Sequence, residues 1–195
     1  MYKTVVFDLD GTLLNTLTDL ADAGNRLCRK YSWPTHERQA YRYFVGNGIP
    51  KLVERLAPAD QRTPAVLEAA LADFKRDYGQ HLRDTTAPYP GIPEMLAKLK
   101  ANGVQLAVFS NKADALAKEV VKDYFGTQYF TIVRGQMTGV APKPAAEGTN
   151  ALLQALHADP ASTLYVGDSN VDVETAHNAN LPCCGAVWGF RTREE

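Results

Sequence analysis

The sequence predicts an α/β fold, a Rossmann-like parallel sheet core interrupted by a small all-helical insertion. Three observations carry this. The chain opens on an apolar strand, "VVFDLDGTLLN" at positions 5–15, but the strand is followed by a long helical tract instead of a second strand. After "TTAPYPG" the pattern changes to apolar strands alternating with helices, which implies a parallel sheet. The later strands end in polar residues, as expected where ligands meet the carboxyl edge of such a sheet.

The first strand runs from Thr4 to Leu9. In "TLTDLADAGNRLCRKY", Leu17, Leu20, Gly24, Leu27 and Tyr31 fall on one stripe at helical spacing; in "PAVLEAALADFKRDYGQHL", Leu67, Leu71, Phe74, Tyr78 and Leu82 do the same. Pro34, Pro50, Pro58 and Pro64 divide the interval into about four helices. Residues 15–85 therefore form a helical unit, and residues 1–14 with 86–195 form the α/β core. In the core, "IPEMLAKLKANG" is a helix stopped at Gly103, and "VQLAVFSN" is a strand. A helix from about Lys112 to Tyr124 follows, then a strand near Thr131 to Arg134 and a helix from about Ala145 to His157. "TLYVGDS" is a strand, "VDVETAHNAN" a helix and "CCGAVW" the last strand.

Composition excludes several classes. With 195 residues, 45% hydrophobic and 22% charged, the chain has the make-up of a soluble globular protein, long enough for one well-packed domain or for a core domain carrying a smaller insertion. Its 21 basic and 22 acidic residues give a net charge of -1, so nothing predicts attraction to nucleic acid or an anionic membrane. No apolar run reaches membrane-spanning length and no secretory leader opens the chain, which implies a cytoplasmic protein; a monomer or homodimer is expected. Cys28, Cys183 and Cys184 fit neither a disulfide framework nor a zinc motif.

The chemistry is concentrated at strand ends. Asp8 and Asp10 share a face of the first strand, where two carboxylates repel unless a cation or a proton lies between them. Ser110-Asn111, Lys143 and Gly167-Asp168-Ser169 end or follow the other strands and converge on the same edge. Carboxylates, a lysine and turn N–H groups in one crevice suit a hard divalent cation such as Mg2+ beside a tetrahedral anion. Asp8 can then attack phosphorus and form an aspartyl-phosphate, while Asp10 protonates the leaving oxygen and later takes a proton from water, its carbonyl within reach of the metal. Gly11 allows backbone N–H groups close to phosphate; Ser110 and the Asn111 N–H hold a phosphoryl oxygen; Lys143 neutralises the transferring group. Asp168 is a further metal ligand, and Asp172, one helical turn on, orients the metal's surroundings.

Plainer roles compete with these. Ser110 and Ser169 also suit helix caps, Asp172 a solvated helix start, and Lys143 an exposed loop. In the helical unit, Gly46-Asn47-Gly48 with Arg42 and Lys51 reads equally as an anion-binding turn, able to meet a substrate carboxylate, and as a simple interhelical turn.

Asp8-Leu9-Asp10-Gly11-Thr12, Ser110-Asn111, Lys143-Pro144 and Gly167 to Asp172 together resemble the motifs of the haloacid dehalogenase superfamily, over essentially the whole chain. The helical insertion and its "VGNG" turn are similar to the small cap of the phosphoglycolate phosphatase-like branch. Asn15 stands where members often have Asp, and Ala145-Ala146 where they often have a second proline; neither position carries a chemical role. The resemblance implies a Mg2+-dependent phosphatase of a small phosphorylated metabolite, with 2-phosphoglycolate the leading candidate. A phosphomutase, pyrophosphatase or nucleotidase of the same superfamily is the alternative. A receiver-like phospho-accepting module is disfavoured, because no aspartate ends a middle strand before Asp168.

Overall fold

Thr4, Val5, Val6 and Phe7 are all buried and form β1 (Thr4–Phe7), as a run of β-branched and aromatic residues should. A computed structural model describes residues 1–194. They divide into two compact units, one of Met1–Asn15 with the chain from Pro88 onward, the other Thr16–Ala87.

After β1 and the short β2 (Leu14–Asn15) come the helices of the second unit. These are α1 (Leu17–Lys30), α2 (Arg38–Phe44), α3 (Ile49–Leu56) and α4 (Pro64–Gln80), and β3 (Ala87–Pro88) follows them. Leu20, Leu27, Tyr41, Leu52, Leu56, Phe74 and Tyr78 fill the centre of this unit. Gly24 belongs to the α1 stripe because a Cβ there would lie 2.5 Å from the Tyr41 ring. Asp19, in the first turn of α1, is also buried, and accepts from the backbone N–H and hydroxyl of both Thr85 and Thr86.

The first unit continues with α5 (Ile92–Ala101), β4 (Gln105–Ala113), α6 (Asp114–Phe125), β5 (Phe130–Gln136) and α7 (Ala146–Leu156). β6 (Thr163–Gly167), α8 (Asn170–Asn178) and β7 (Cys183–Gly185) complete it. Among the described residues the sheet runs β5-β4-β1-β6-β7, all parallel. β1 lies at the centre, with Phe7 opposite Val108 on one side and Val166 on the other. The carboxyl ends of β1, β4 and β6 therefore finish side by side at the point where strand order switches. Val6, Ala107, Phe109 and Tyr165 pack with Leu152, Leu153 and Leu156 of α7 beneath that edge.

Several boundaries differ from the sequence reading. β1 ends at Phe7 and not at Leu9, so Asp8 and Asp10 lie in the turn after the strand and not on one face of it. Two further differences shape the edge. The helix expected from Lys112 begins instead at Asp114, and β4 carries Lys112 as a strand residue. The strand is prolonged past a register shift until Ala113 pairs with Gln136, and Asp114 is tied across to the Gly135 N–H at 3.0 Å. The last strand stops at Gly185, short of Trp188, because the chain turns: Ala186 donates to Gly167 O and Gly189 to Ala186 O. β7 is left at the edge of the sheet, with Cys183 and Cys184 exposed. No described helix is long and apolar enough to cross a membrane.

Candidate active site

Asp8 follows β1 directly, and its backbone N–H continues the ladder to Val166 O at 2.8 Å. The next residues curl tightly. Leu9 O accepts from Thr12, Leu13 and Leu14, and the Gly11 N–H donates to Leu14 O at 2.9 Å. The N–H of Gly11 is thus engaged in the turn, and the glycine is required for another reason. Its φ is +93°, and a Cβ there would stand 2.3 Å from the Asp168 carboxylate.

Lys143 is the hub. Its Nζ donates to Asp8 Oδ1 and Asp172 Oδ1, both at 2.7 Å, to Tyr165 Oη at 3.2 Å and to Phe109 O at 3.3 Å. It is 3% exposed, which removes the surface-lysine reading. Asn111 holds its backbone from both sides: the Lys143 N–H donates to Asn111 Oδ1 at 2.8 Å, and Asn111 Nδ2 donates to Lys143 O at 3.2 Å. The Lys143-Pro144 peptide is cis. Burial pulls the ammonium toward neutrality, but the charges of Asp172 and Asp8 outweigh it and hold its pKa well above the ordinary lysine value.

Carboxylate oxygens of Asp8, Asp168 and Asp172 lie within 4.8 Å of one another. Burial pushes Asp8 up to about 8 against the pull of Lys143, with the charges of Asp172 and Asp168 adding to the rise. Burial and Asp172 push Asp168 up to about 7, opposed by the Phe190 N–H, Lys143 and Thr12. Three carboxylates face one ammonium, an excess of negative charge that a divalent cation would cancel, and all the donors are hard oxygens. A divalent metal therefore fits. Asp8, Asp168 and Asp172 are the residues that would hold it. Asp172 is the most heavily engaged of the three, its Oδ1 taking Lys143 while its Oδ2 takes the Ser169 N–H at 3.1 Å and hydroxyl at 2.7 Å. Ser169 is accordingly a helix cap.

Asp10 stands outside that carboxylate group and pairs with a different lysine, Lys112, at 3.1 Å. Ser110, buried, accepts the Lys112 N–H at 3.2 Å. The residues singled out in the helical unit lie in a separate unit and are engaged there: Lys51 pairs with Glu54 at 2.8 Å, and Asn47 accepts from Arg55 at 2.9 Å. Gly46 and Gly48 turn the chain at positive φ between α2, which carries Arg42, and α3.

Sequence reasoning missed four contributors. The local pattern puts Lys112 at a helix start, and Tyr165 is an inward strand residue with no polar signature. Thr12 donates its hydroxyl to Asp168 Oδ1 at 3.3 Å. The "WGF" turn closes over the site: Trp188 Nε1 donates to Thr12 O at 3.0 Å and the Phe190 N–H to Asp168 Oδ2 at 2.7 Å. Gly189 permits this, since a Cβ would lie 2.3 Å from Asp168 Cβ. The signal available for it was a Gly between two aromatics shortly after the last strand.

The sequence profile of the haloacid dehalogenase-like hydrolases matches residues 5–186, a span holding every one of these carboxylates and both lysines. The chain belongs to that family. Among its relatives, a phosphoglycolate phosphatase of Neisseria meningitidis is 32% identical over 191 residues, covering 96% of this chain and 81% of that protein. One of Thiobacillus denitrificans is 30% identical over 191 residues, covering 96% and 84%. A crystal structure from Lactobacillus delbrueckii subsp. bulgaricus superposes with a TM-score of 0.93 at 28% identity, over 99% of this chain and 89% of that one. These place the haloacid dehalogenase-like hydrolase in the phosphoglycolate phosphatase-like branch of its family.

Proposed function

We propose that this hydrolase is a Mg2+-dependent phosphatase that cleaves a small phosphorylated metabolite, 2-phosphoglycolate first among candidates, through an aspartyl-phosphate. The observation that carries the reading is the group of buried carboxylates of Asp8, Asp168 and Asp172 around a single ammonium, a site short of positive charge. The substrate suggestion rests on the activity named for the relatives of Neisseria meningitidis and Thiobacillus denitrificans.

In this reading Asp8, ionised, attacks phosphorus, and the bond from phosphorus to the ester oxygen breaks as Asp10 gives that oxygen a proton. Water then adds to the acyl phosphate, Asp10 takes a proton from it, and Asp8 and inorganic phosphate are released. Lys143 balances charge on Asp8 and on the transferring phosphoryl group. Asp172 acts through Lys143, and Ser110 offers a hydroxyl to a phosphoryl oxygen. Bound Mg2+ supplies positive charge that keeps Asp8 ionised and offsets charge on the phosphoryl oxygens.

The test is phosphate release from a panel of phosphoesters, with and without Mg2+, for the wild type, Asp8→Asn and Asp10→Asn. Mg2+-dependent release abolished in Asp8→Asn is expected. Turnover that survives in Asp8→Asn removes the covalent route, and a wild type inert on every ester removes the phosphatase reading.

A further inference from the structure

Lys112 is 5% exposed, and lysines are almost never buried to this degree unless paired. Its Nζ donates to Asp10 Oδ1 at 3.1 Å and to Oδ2 at 3.4 Å. Its backbone is fixed as well. The Lys112 N–H donates to Ser110 Oγ, its strand continues to Ala113 opposite Gln136, and its carbonyl oxygen passes so close to Gly135 that a Cβ there would lie 2.4 Å away. The stem of the lysine thus starts from a rigid point and ends on both oxygens of one carboxylate.

The two aspartates that follow β1 are separated by this arrangement. Lys143 takes Asp8 into the cluster with Asp172, while Lys112 holds Asp10, whose oxygens are not members of the group formed by Asp8, Asp168 and Asp172. Taken as a stabilising device, a buried ion pair is poor value, since an apolar pair of similar volume serves as well or better. Its location beside the nucleophile points to geometry instead. An aspartate with two rotatable bonds can swing into the neighbouring carboxylate cluster or out to solvent, and a bidentate lysine removes both options.

We propose that Lys112 is a positioning residue, which fixes the Asp10 carboxylate in the orientation from which it serves the leaving oxygen. The inference rests on the proposed proton-transfer role of Asp10, and the experiment separates the two. Release of the leaving group is followed in a single turnover for two esters. One is 2-phosphoglycolate or, if that is not turned over, the alkyl ester cleaved fastest in the panel. The other is p-nitrophenyl phosphate, whose leaving group departs without a proton.

In Lys112→Met the alkyl ester is expected to slow by about 10–100-fold, part of the 10²–10⁴ that general acid catalysis supplies, and the nitrophenyl ester by less than about threefold. Asp10→Asn should show the same split, larger. In the Asp10→Asn background, Lys112→Met should add nothing further, because a residue acting through Asp10 has lost its object. Should circular dichroism show Lys112→Met unfolded, Lys112→Gln carries the comparison and should give a smaller split of the same sign. Equal slowing of both esters by the Lys112 variant, or additive losses in the double variant, overturns the proposal while leaving the role of Asp10 intact. No split in Asp10→Asn overturns that role and this inference with it.

Discussion

Lys143 and Asp172, twenty-nine residues apart in sequence, meet through a hydrogen bond of 2.7 Å whose other end is anchored by the Ser169 cap. The same ammonium lies 2.7 Å from Asp8. Asp172 therefore steers the lysine, and the lysine balances the proposed nucleophile. Lys143→Met is expected to lower kcat by about 10²–10³, the range found when one preorganised electrostatic donor is removed. It leaves two buried carboxylates without their cation, so stability should fall too, by at most the ~3–5 kcal/mol typical of a broken buried pair, read as a lower melting temperature. Lys143→Arg should not restore activity, because a planar guanidinium cannot converge on two carboxylates, a hydroxyl and a carbonyl as an ammonium does. Unchanged steady-state kinetics in Lys143→Met would remove Lys143 from the mechanism.

Gly11→Ala tests the close approach of the first loop to Asp168. The substitution meets two obstacles, a φ of +93° and a Cβ position 2.3 Å from a carboxylate already held by Thr12 and Phe190. The backbone conformation alone costs on the order of 1–3 kcal/mol for a residue with a side chain. Displacement of Asp168 should raise the Mg2+ concentration needed for half-maximal activity by about tenfold, a loss of the size seen when groups supporting a metal ligand are disturbed. A Mg2+ titration of phosphate release measures it, and an unchanged midpoint would mean Asp168 does not serve the metal.

These residues show which parts of the site a sequence can reveal. Asp8 and Asp168 stand just past strand ends, Ser110 and Asn111 toward the carboxyl end of β4, and Lys143 in the segment that enters α7. All lie at the edge where topology fixes their convergence once the alternation of strands and helices is recognised. Asp172 is placed by helical spacing from the cap. Lys112 was hidden because the register shift that keeps β4 extended to Ala113 depends on pairing with β5, a long-range event that local pattern does not encode. The Phe190 contribution is a backbone N–H, which every residue but proline owns, so no side chain announces it. Gly46, Asn47, Gly48, Arg42 and Lys51 stand out only by local turn chemistry, and the interactions of Asn47 and Lys51 are likewise local, with Arg55 and Glu54.

The raised carboxylates give a pH signature. Asp8 at about 8 and Asp168 at about 7, against an ordinary 3.8, keep protons in the folded chain that the unfolded chain has already lost. Without metal, their contribution to stability is full below about pH 4 and is lost as pH rises through about 7 and 8. Mg2+ needs the deprotonated form, so its stabilisation should grow over the same interval. At a hundredfold excess over Kd the ligand adds about 2.7 kcal/mol, equivalent to roughly 5–10 °C in a chain of this size. Thermal melts at pH 5 and pH 8 with and without Mg2+ should show the larger shift at pH 8, and equal shifts would mean that Mg2+ does not compete with these protons.

The helical unit has a buried charge of its own. Asp19 is 2% exposed, and each of its oxygens accepts two hydrogen bonds: Oδ1 from the N–H and hydroxyl of Thr85, at 2.9 and 2.5 Å, and Oδ2 from those of Thr86, at 2.9 and 2.7 Å. Four donors converge on one carboxylate near the positive end of α1, an arrangement in which burying the charge is tolerable. It also ties the first turn of α1 to the segment after α4, closing the unit on itself. Asp19→Asn retains the shape but turns one acceptor into a donor facing a backbone N–H, which, unlike a hydroxyl, cannot rotate away. The expected cost is about 1–3 kcal/mol for the group left unsatisfied. Asp19→Ala strands both N–H groups and should cost more. The order wild type, Asp19→Asn, Asp19→Ala in melting temperature, with faster hydrogen exchange at the Thr85 and Thr86 amides, checks this. Asp19→Ala melting with the wild type would show that solvent replaces the carboxylate without loss.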